Sequence, residues 1–434
     1  MQRWKLAVAF VPLLALCSCG DTARLGVEAG TGPSPVLPRP VKSLIPTTKV
    51  ADATGWPAGR RPVPAPGLGV QVFAGGLDHP RWLYLLPNGD VLVAETAGPG
   101  TDPGPGGIKG FFQKMFLKKA GSDVPSAKRI TLLRDADGDG TAELKTSLVE
   151  GLYSPFGMAL VGNELFVANA NALVAFPFRV GDTSITARPR KVADLPSGYN
   201  HHWTKSVASP DGRWLFVGVG SNSNIGENGM AMEQGRAAIW RIDPRTGAHS
   251  LFAEGLRNPV GIAFNPWSGT LWAAVNERDE LGSDLVPDYI TSVREGAFYG
   301  WPYSYYGQHI DTRPKPPRPD LVAKAITPDY AVGPHVAALG LTFSTGQRLG
   351  PAFARGAFVG EHGSWNRNPP SGYKVVFVPF AGAQPSGMPI DVLTGFMVKG
   401  KALGRPVGVQ VAKDGSLLVA DDVGDTVWRV SARR

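Results

Sequence analysis

One pattern recurs six times along this chain: a polar or Pro-led entry, an apolar strand, a turn containing Gly, and a second apolar strand. An acid, amide or Gly closes each copy. The copies begin near His79-Pro80-Arg81, Ser154-Pro155-Phe156, His201-His202-Trp203, Arg257-Asn258-Pro259, Val336-Ala337-Ala338 and Arg405-Pro406-Val407. Asn88-Gly89, Asp211-Gly212 and Asp414-Gly415 are tight-hairpin signals. The strands are apolar without interruption rather than alternating, as in sheets buried on both faces. Six such units predict an all-β fold, a six-bladed β-propeller of four-stranded antiparallel blades, over residues 67–434. Two stacked β-sandwiches would not account for six units sharing one pattern.

Composition agrees. Fifty-five Gly and 39 Pro suit many short strands and turns. The formal net charge of +8 is spread without a long Lys/Arg run, so no nucleic-acid footprint is indicated.

The N-terminus reads as an export signal. Arg3 and Lys5 precede an apolar run from Leu6 to Leu16, too short for the about 20 residues that span a bilayer. Leu16-Cys17-Ser18-Cys19-Gly20 resembles a bacterial lipobox with Cys19 as the acylated residue, predicting an exported, periplasmic, lipid-anchored protein. With Cys17 lost alongside the signal, no disulfide is available. Residues 20–66, rich in Pro, Gly, Thr and Ala, predict a tether between anchor and folded domain.

Aligned by first strands, the repeats bring Arg81, Tyr153, His201, Arg257, His335 and Arg405 to equivalent positions. Aligned by second strands, they do the same for Glu95, Asn169, Glu277, Glu361, His362 and Asp421. In a propeller such positions converge on the axis. Any one of them taken alone is more simply a strand-end residue. Several arginines and histidines together form a basic ring suited to a polycarboxylate ligand. A lone His is more often structural. The Asn200-His201-His202 entry makes His201 a candidate general base.

Asn200-His201-His202-Trp203-Thr204-Lys205, Gly255-Leu256-Arg257-Asn258-Pro259, and Asn276-Glu277-Arg278-Asp279-Glu280-Leu281-Gly282 followed by Tyr299-Gly300-Trp301-Pro302 resemble segments of one family. It is the pyrroloquinoline-quinone (PQQ) dependent soluble glucose/sorbosone dehydrogenases, and Glu361-His362-Gly363-Ser364-Trp365-Asn366-Arg367 brings the chain nearest its sorbosone branch.

The resemblance implies PQQ and Ca2+ as cofactors and a sugar or sugar aldehyde as substrate. Electrons would pass to an artificial or respiratory-chain acceptor. It implies His201 as base, and Asn200, Arg257, Asn258, Arg405, His362 and Asp421 as cofactor contacts. Backbone carbonyls of Asp279 and Glu280 would serve as calcium ligands. The chain departs from the family at Val260 and Val407, where Gln and Arg are expected, and at Glu361-His362, where a cofactor-binding Lys is expected.

Asp135, Asp137 and Asp139 with Gly140 open like an EF-hand loop, a candidate structural calcium site that lacks the Glu at position twelve. Residues 97–128 predict a packed loop, and aromatic residues 300–319 predict a wall of a ligand pocket. Two other readings stay open: a calcium-dependent, lactonase-like hydrolase using Glu95, Glu277 and Asp421, and a non-catalytic propeller that binds carbohydrate or protein.

Overall fold

The computed structural model describes residues 20–43, 47–100, 115–198, 201–346 and 348–433. The expectations placed on Cys19 and Asn200 therefore fall outside the described residues. The fold is nearly all-β, with short helices such as Pro319–Val322 and Met230–Glu233. Among the described residues no helix is long and apolar enough to cross a membrane.

Six antiparallel sheets follow one another along the chain. The first joins Pro80–Leu85, Val91–Glu95, Arg129–Arg134 and Leu144–Val149. The second joins Met158–Val161, Glu164–Ala168, Ala172–Pro177 and Arg190–Asp194. The third runs from Val207–Ala208 through Leu215–Val219 and Ala238–Ile242 to His249–Glu254. The fourth is built on Pro259–Phe264, Leu271–Val275, Pro287–Ser292 and Tyr330–Pro334. The fifth uses Ala338–Phe343, Gly356–Glu361, Lys374–Ala381 and Ile390–Thr394. The sixth pairs Pro406–Val411, Leu417–Asp421 and Thr426–Ala432 with the early strand Leu68–Gly75. That last pairing joins the two ends of the repeat region by a seven-rung antiparallel ladder from Thr426↔Gly75 to Ala432↔Leu68.

The burial follows from the strand composition. Val91–Glu95, Leu215–Val219, Leu271–Val275 and Leu417–Asp421 are buried at every residue. Each Val or Leu so placed stabilises by about 1.5–3 kcal/mol. The predicted hairpin turns appear with Gly89 at φ 101° and Gly415 at φ 82°, a region L-residues disfavour.

First strands of neighbouring sheets pack side by side. A Cβ on Gly157 would overlap the backbone of Val207, one on Gly261 that of Leu339, one on Gly340 that of Val407, and one on Gly408 that of Arg81. The Gly of the repeat is thus a close-packing requirement between sheets. The first and second sheets meet through Trp82 and Phe156, ring centroids 4.6 Å apart, and through the Tyr84 hydroxyl, which accepts from Leu160 N at 2.9 Å.

Residues 20–43 and 47–66, expected as a tether, lie against the sheets in this structure. Thr31–Gly32 extends the fourth sheet beside Val332 and Ala331, and Val63–Pro64 extends the fifth beside Leu393 and Thr394. The Asp21 carboxylate accepts from Ser283 N at 2.8 Å, and Trp56 Nε1 donates to Asp421 at 2.7 Å. Short backbone pairings and single side-chain bonds together dock them.

Candidate active site

The sheet entrances bring the basic residues into one region, and their partners define it. Arg257 opens the fourth sheet with its side chain 2% exposed. It donates to the Glu277 carbonyl at 2.7 Å and to Asn224 Oδ1 at 3.0 Å, with the Asp279 carboxylate 3.5 Å away. The guanidinium, expected on a cofactor carboxylate, holds the chain's own 276–279 loop in this structure. Asn224 is the hub that sequence reasoning missed. Its Oδ1 accepts from Asp279 N at 2.9 Å, its Nδ2 donates to the Asp279 carbonyl at 3.3 Å, and its carbonyl accepts from Trp301 Nε1 at 2.9 Å. A polar residue in an unpatterned loop carries no sequence signal for this.

Asp279 also faces His335, whose Nδ1 lies 3.4 Å from the carboxylate while Nε2 bonds the Gly282 carbonyl at 2.9 Å. Burial pushes the Asp279 carboxyl up, but His335 and Arg257 outweigh it and bring it to about 2. The carbonyls of Asp279 and Glu280, expected to face calcium, converge on Nη1 of Arg313 at 3.0 and 3.4 Å. In the aromatic 300–319 stretch Trp301, Tyr303, Tyr305 and Tyr306 are buried, and Tyr306, Gln308 and His309 line a cavity with Leu37 and Thr327.

The histidine pair divides its roles. His201 is exposed, and its ring stands 4.7 Å from that of His202 at 75°. His202 Nδ1 lies 2.9 Å from the Ser221 carbonyl and 3.0 Å from Ser221 Oγ. Because Ser221 Oγ gives its own proton to the Ser223 carbonyl at 2.6 Å, both Ser221 atoms act as acceptors and Nδ1 carries hydrogen. Burial, followed by Arg257 and His201, holds His202 well below the usual imidazole range, so it is neutral with an Nε2 lone pair. Asn258 sits beside it: a Cβ on Gly220 would touch both Asn258 Oδ1 and His202 Cβ at 2.5 Å. Lys205, wholly buried, donates to the Trp203 carbonyl at 3.2 Å and pins the turn below the pair.

A second cluster lies between the sixth and first sheets. Asp422 Oδ2 is 2.6 Å from Arg81 Nη1, 2.9 Å from His362 Nε2 and 3.5 Å from His79 Nε2. Burial opposes its ionisation, but His362, His79 and Arg81 together hold it below the usual carboxylate range. Burial brings His362 down to about 4 against the pull of Asp422. Asp421, expected to touch the cofactor, is bonded within the protein in this structure. It accepts from Trp56 Nε1, Trp428 Nε1 at 3.0 Å, Arg405 N at 2.7 Å and Gly424 N at 2.9 Å. Its neighbour Asp422 faces the cluster instead. Arg405 is fully buried, stacked 4.8 Å from the Tyr373 ring with Nη2 3.2 Å from the Tyr373 hydroxyl.

The acids of the hydrolase reading are held by the protein's own donors, which argues against their meeting on one metal. Glu95 is held by Arg129, Thr131 and Asp78 N, Glu277 through one oxygen by Arg278 at 2.9 Å, and Asp421 as above. Away from these clusters, Asp135, Asp137 and Asp139 converge with Glu143, one oxygen of each within 4.8 Å of the others.

Several buried polar atoms around the entrances have no hydrogen-bond partner, among them Arg81 Nε, Arg405 Nε, Asn169 Oδ1 and Asn258 Oδ1. Such atoms pay the desolvation penalty unless a ligand meets them. Two cationic donors among them fit a planar, polyanionic group with carbonyl oxygens.

The TrAA12-like family profile matches residues 127–292 and 319–433. A PQQ-dependent pyranose dehydrogenase of Coprinopsis cinerea is 25% identical over 362 residues, 73% of this chain and 44% of that protein. The chain spans about half the length of the curated relatives it matches. The holo PQQ domain of pyranose dehydrogenase from Coprinopsis cinerea superposes with a TM-score of 0.68 at 21% identity, covering 88% of this chain and all of that one. A calcium structure of a Trichoderma reesei carbohydrate-active enzyme of family AA12 gives 0.69 at 19% identity, covering 86% and 97%. These structural likenesses are of fold.

Proposed function

The chain belongs to the TrAA12-like family, and on that premise we propose that it is a PQQ- and calcium-dependent dehydrogenase oxidising a sugar or sugar aldehyde. The observation that carries this reading is the neutral, oriented His202 beside Asn258, in a region where buried Arg81 and Arg405 nitrogens lack partners. The six sheets are taken as the blades of a six-bladed propeller, a reading that the abutting first strands support.

If bound here, PQQ would supply a hydride acceptor and calcium a Lewis acid, with Arg81, Arg405, Asn258 and His362 as the residues that would hold the quinone. The protein's part is positioning and proton transfer. Arg81 and Arg405 supply cationic walls, Asn258 an amide contact, and His362 a neutral face backed by Asp422. His202 takes the substrate hydroxyl proton at Nε2, its Nδ1 proton held by Ser221 so that the ring cannot turn. His202 takes this role in the present reading because its Nδ1 is held by Ser221, while His201, the acceptor expected from sequence, is its exposed neighbour. Electrons leave to an artificial or respiratory-chain acceptor. Export, acylation at Cys19 and a periplasmic location belong to the same reading, as does a structural calcium held by Asp135, Asp137, Asp139 and Glu143.

Dye reduction by PQQ-loaded protein across a panel of aldoses and sugar aldehydes, sorbosone included, tests it. Turnover with at least one sugar is expected. A loaded protein that reduces dye with none of them would refute the sugar assignment.

A further inference from the structure

The 300–319 segment has a second role that its burial conceals. Asp311 accepts from Nε of Arg313 at 2.9 Å and from Nη2 at 2.7 Å, a two-pronged grip that fixes the guanidinium plane. The third nitrogen, Nη1, is left pointing at the Asp279 and Glu280 carbonyls, 3.0 and 3.4 Å away. Asp311 is itself anchored: its side chain is 1% exposed and lies 3.3 Å from Arg278, which also bonds Glu277. Arg313 is therefore held in place by a buried network and not draped over the carbonyls by chance.

Two backbone carbonyls converging on one point make a cation site, and here the chain supplies the cation. We propose that Arg313 is a built-in competitor for calcium at the Asp279–Glu280 carbonyl pair. This rests on the calcium reading above. Calcium reaches both carbonyls only when Arg313 Nη1 withdraws, and without calcium Arg313 keeps the 276–284 loop in its binding shape. Calcium affinity at this site is thereby set by a side chain that is not a ligand.

The test uses apoprotein and terbium as a luminescent calcium substitute. Trp301 serves as sensitiser, since it bonds the Asn224 carbonyl while the Asn224 amide bonds the Asp279 carbonyl. The background carries Asp137→Asn and Asp139→Asn, so the separate acidic loop does not report. Arg313→Gln removes the competing charge. Asp311 keeps its Arg278 partner, and an unchanged melting temperature verifies folding. Losing a charge-assisted bond to the carbonyls should tighten terbium binding, and calcium displacing it, by roughly tenfold or more.

Equal affinity in Arg313→Gln and the parent would overturn the competition while leaving the calcium reading standing. A parent and variant that both fail to give a Trp301-sensitised signal would overturn the two together. Should Arg313→Gln fail to fold, Arg313→Leu decides. Its side chain carries neither charge nor donor to the carbonyls, so it too must tighten binding, and a leucine variant at parental affinity contradicts the proposal.

Discussion

His202 Nδ1 lies 2.9 Å from the Ser221 carbonyl, and the Ser221 hydroxyl bonds onward to the Ser223 carbonyl at 2.6 Å. This chain fixes which imidazole nitrogen is free. His202→Gln should lower kcat by about 10²–10⁴-fold in dye reduction. His201→Gln, altering an exposed ring, should retain activity within about tenfold. Loss confined to His201→Gln would return the base to the residue expected from sequence.

Arg257 joins Asn224, Glu277 and Asp279 through separate guanidinium nitrogens. A lysine has one nitrogen and a different reach. Arg257→Lys should therefore destabilise by about 3–5 kcal/mol in urea unfolding, as for a broken buried pair. A change within 0.5 kcal/mol, a figure roughly that of an ordinary surface substitution, would remove Arg257 as the organiser of the 276–279 loop.

His362 is held near 4 in the folded protein by burial, against about 6.5 when unfolded. A depressed folded value means the unfolded chain binds the proton first. The contribution is thus present above about pH 6.5 and lost as pH falls toward 4, up to a value on the order of 3 kcal/mol. His362→Gln keeps a donor toward Asp422 but cannot titrate. Its stability should lose less than wild type between those pH values, and parallel pH profiles would contradict the assignment.

Glu361 behaves oppositely. Its two oxygens are buried without hydrogen-bond partners, and burial raises the carboxyl to about 8, with Lys374 pulling down and Asp391 and Asp288 pushing up. A raised folded value contributes stability that is full below the unfolded value of about 4.5 and lost as pH rises through 8. Glu361→Gln should flatten that decline, on the order of 5 kcal/mol at most. An unchanged slope between about pH 4.5 and 8 would contradict the assignment.

The six sheets were legible because their strands repeat one pattern and their Gly positions answer to one packing contact. Arg257, His335 and Arg405 were legible as strand entrances for the same reason. Their partners were not. Asn224, Asp422 and Arg313 come from loops of different length and composition, brought beside those entrances only by the fold. Asp421 and Asp422 are adjacent in sequence, yet opposite orientations give one to Trp56 and Trp428 and the other to His362 and Arg81. Residues 20–43 and 47–66 have no periodicity to read, since short edge pairings and single hydrogen bonds dock them.

The central claim is tested most directly by titrating apoprotein with PQQ in millimolar calcium and following the quinone absorbance, then adding substrate sugar. Uptake of one equivalent, followed by bleaching of the quinone band that His202→Gln slows without weakening uptake, is the predicted result. Absence of uptake would contradict the account, and the unpartnered Arg81 and Arg405 nitrogens would then belong to a site for another anion.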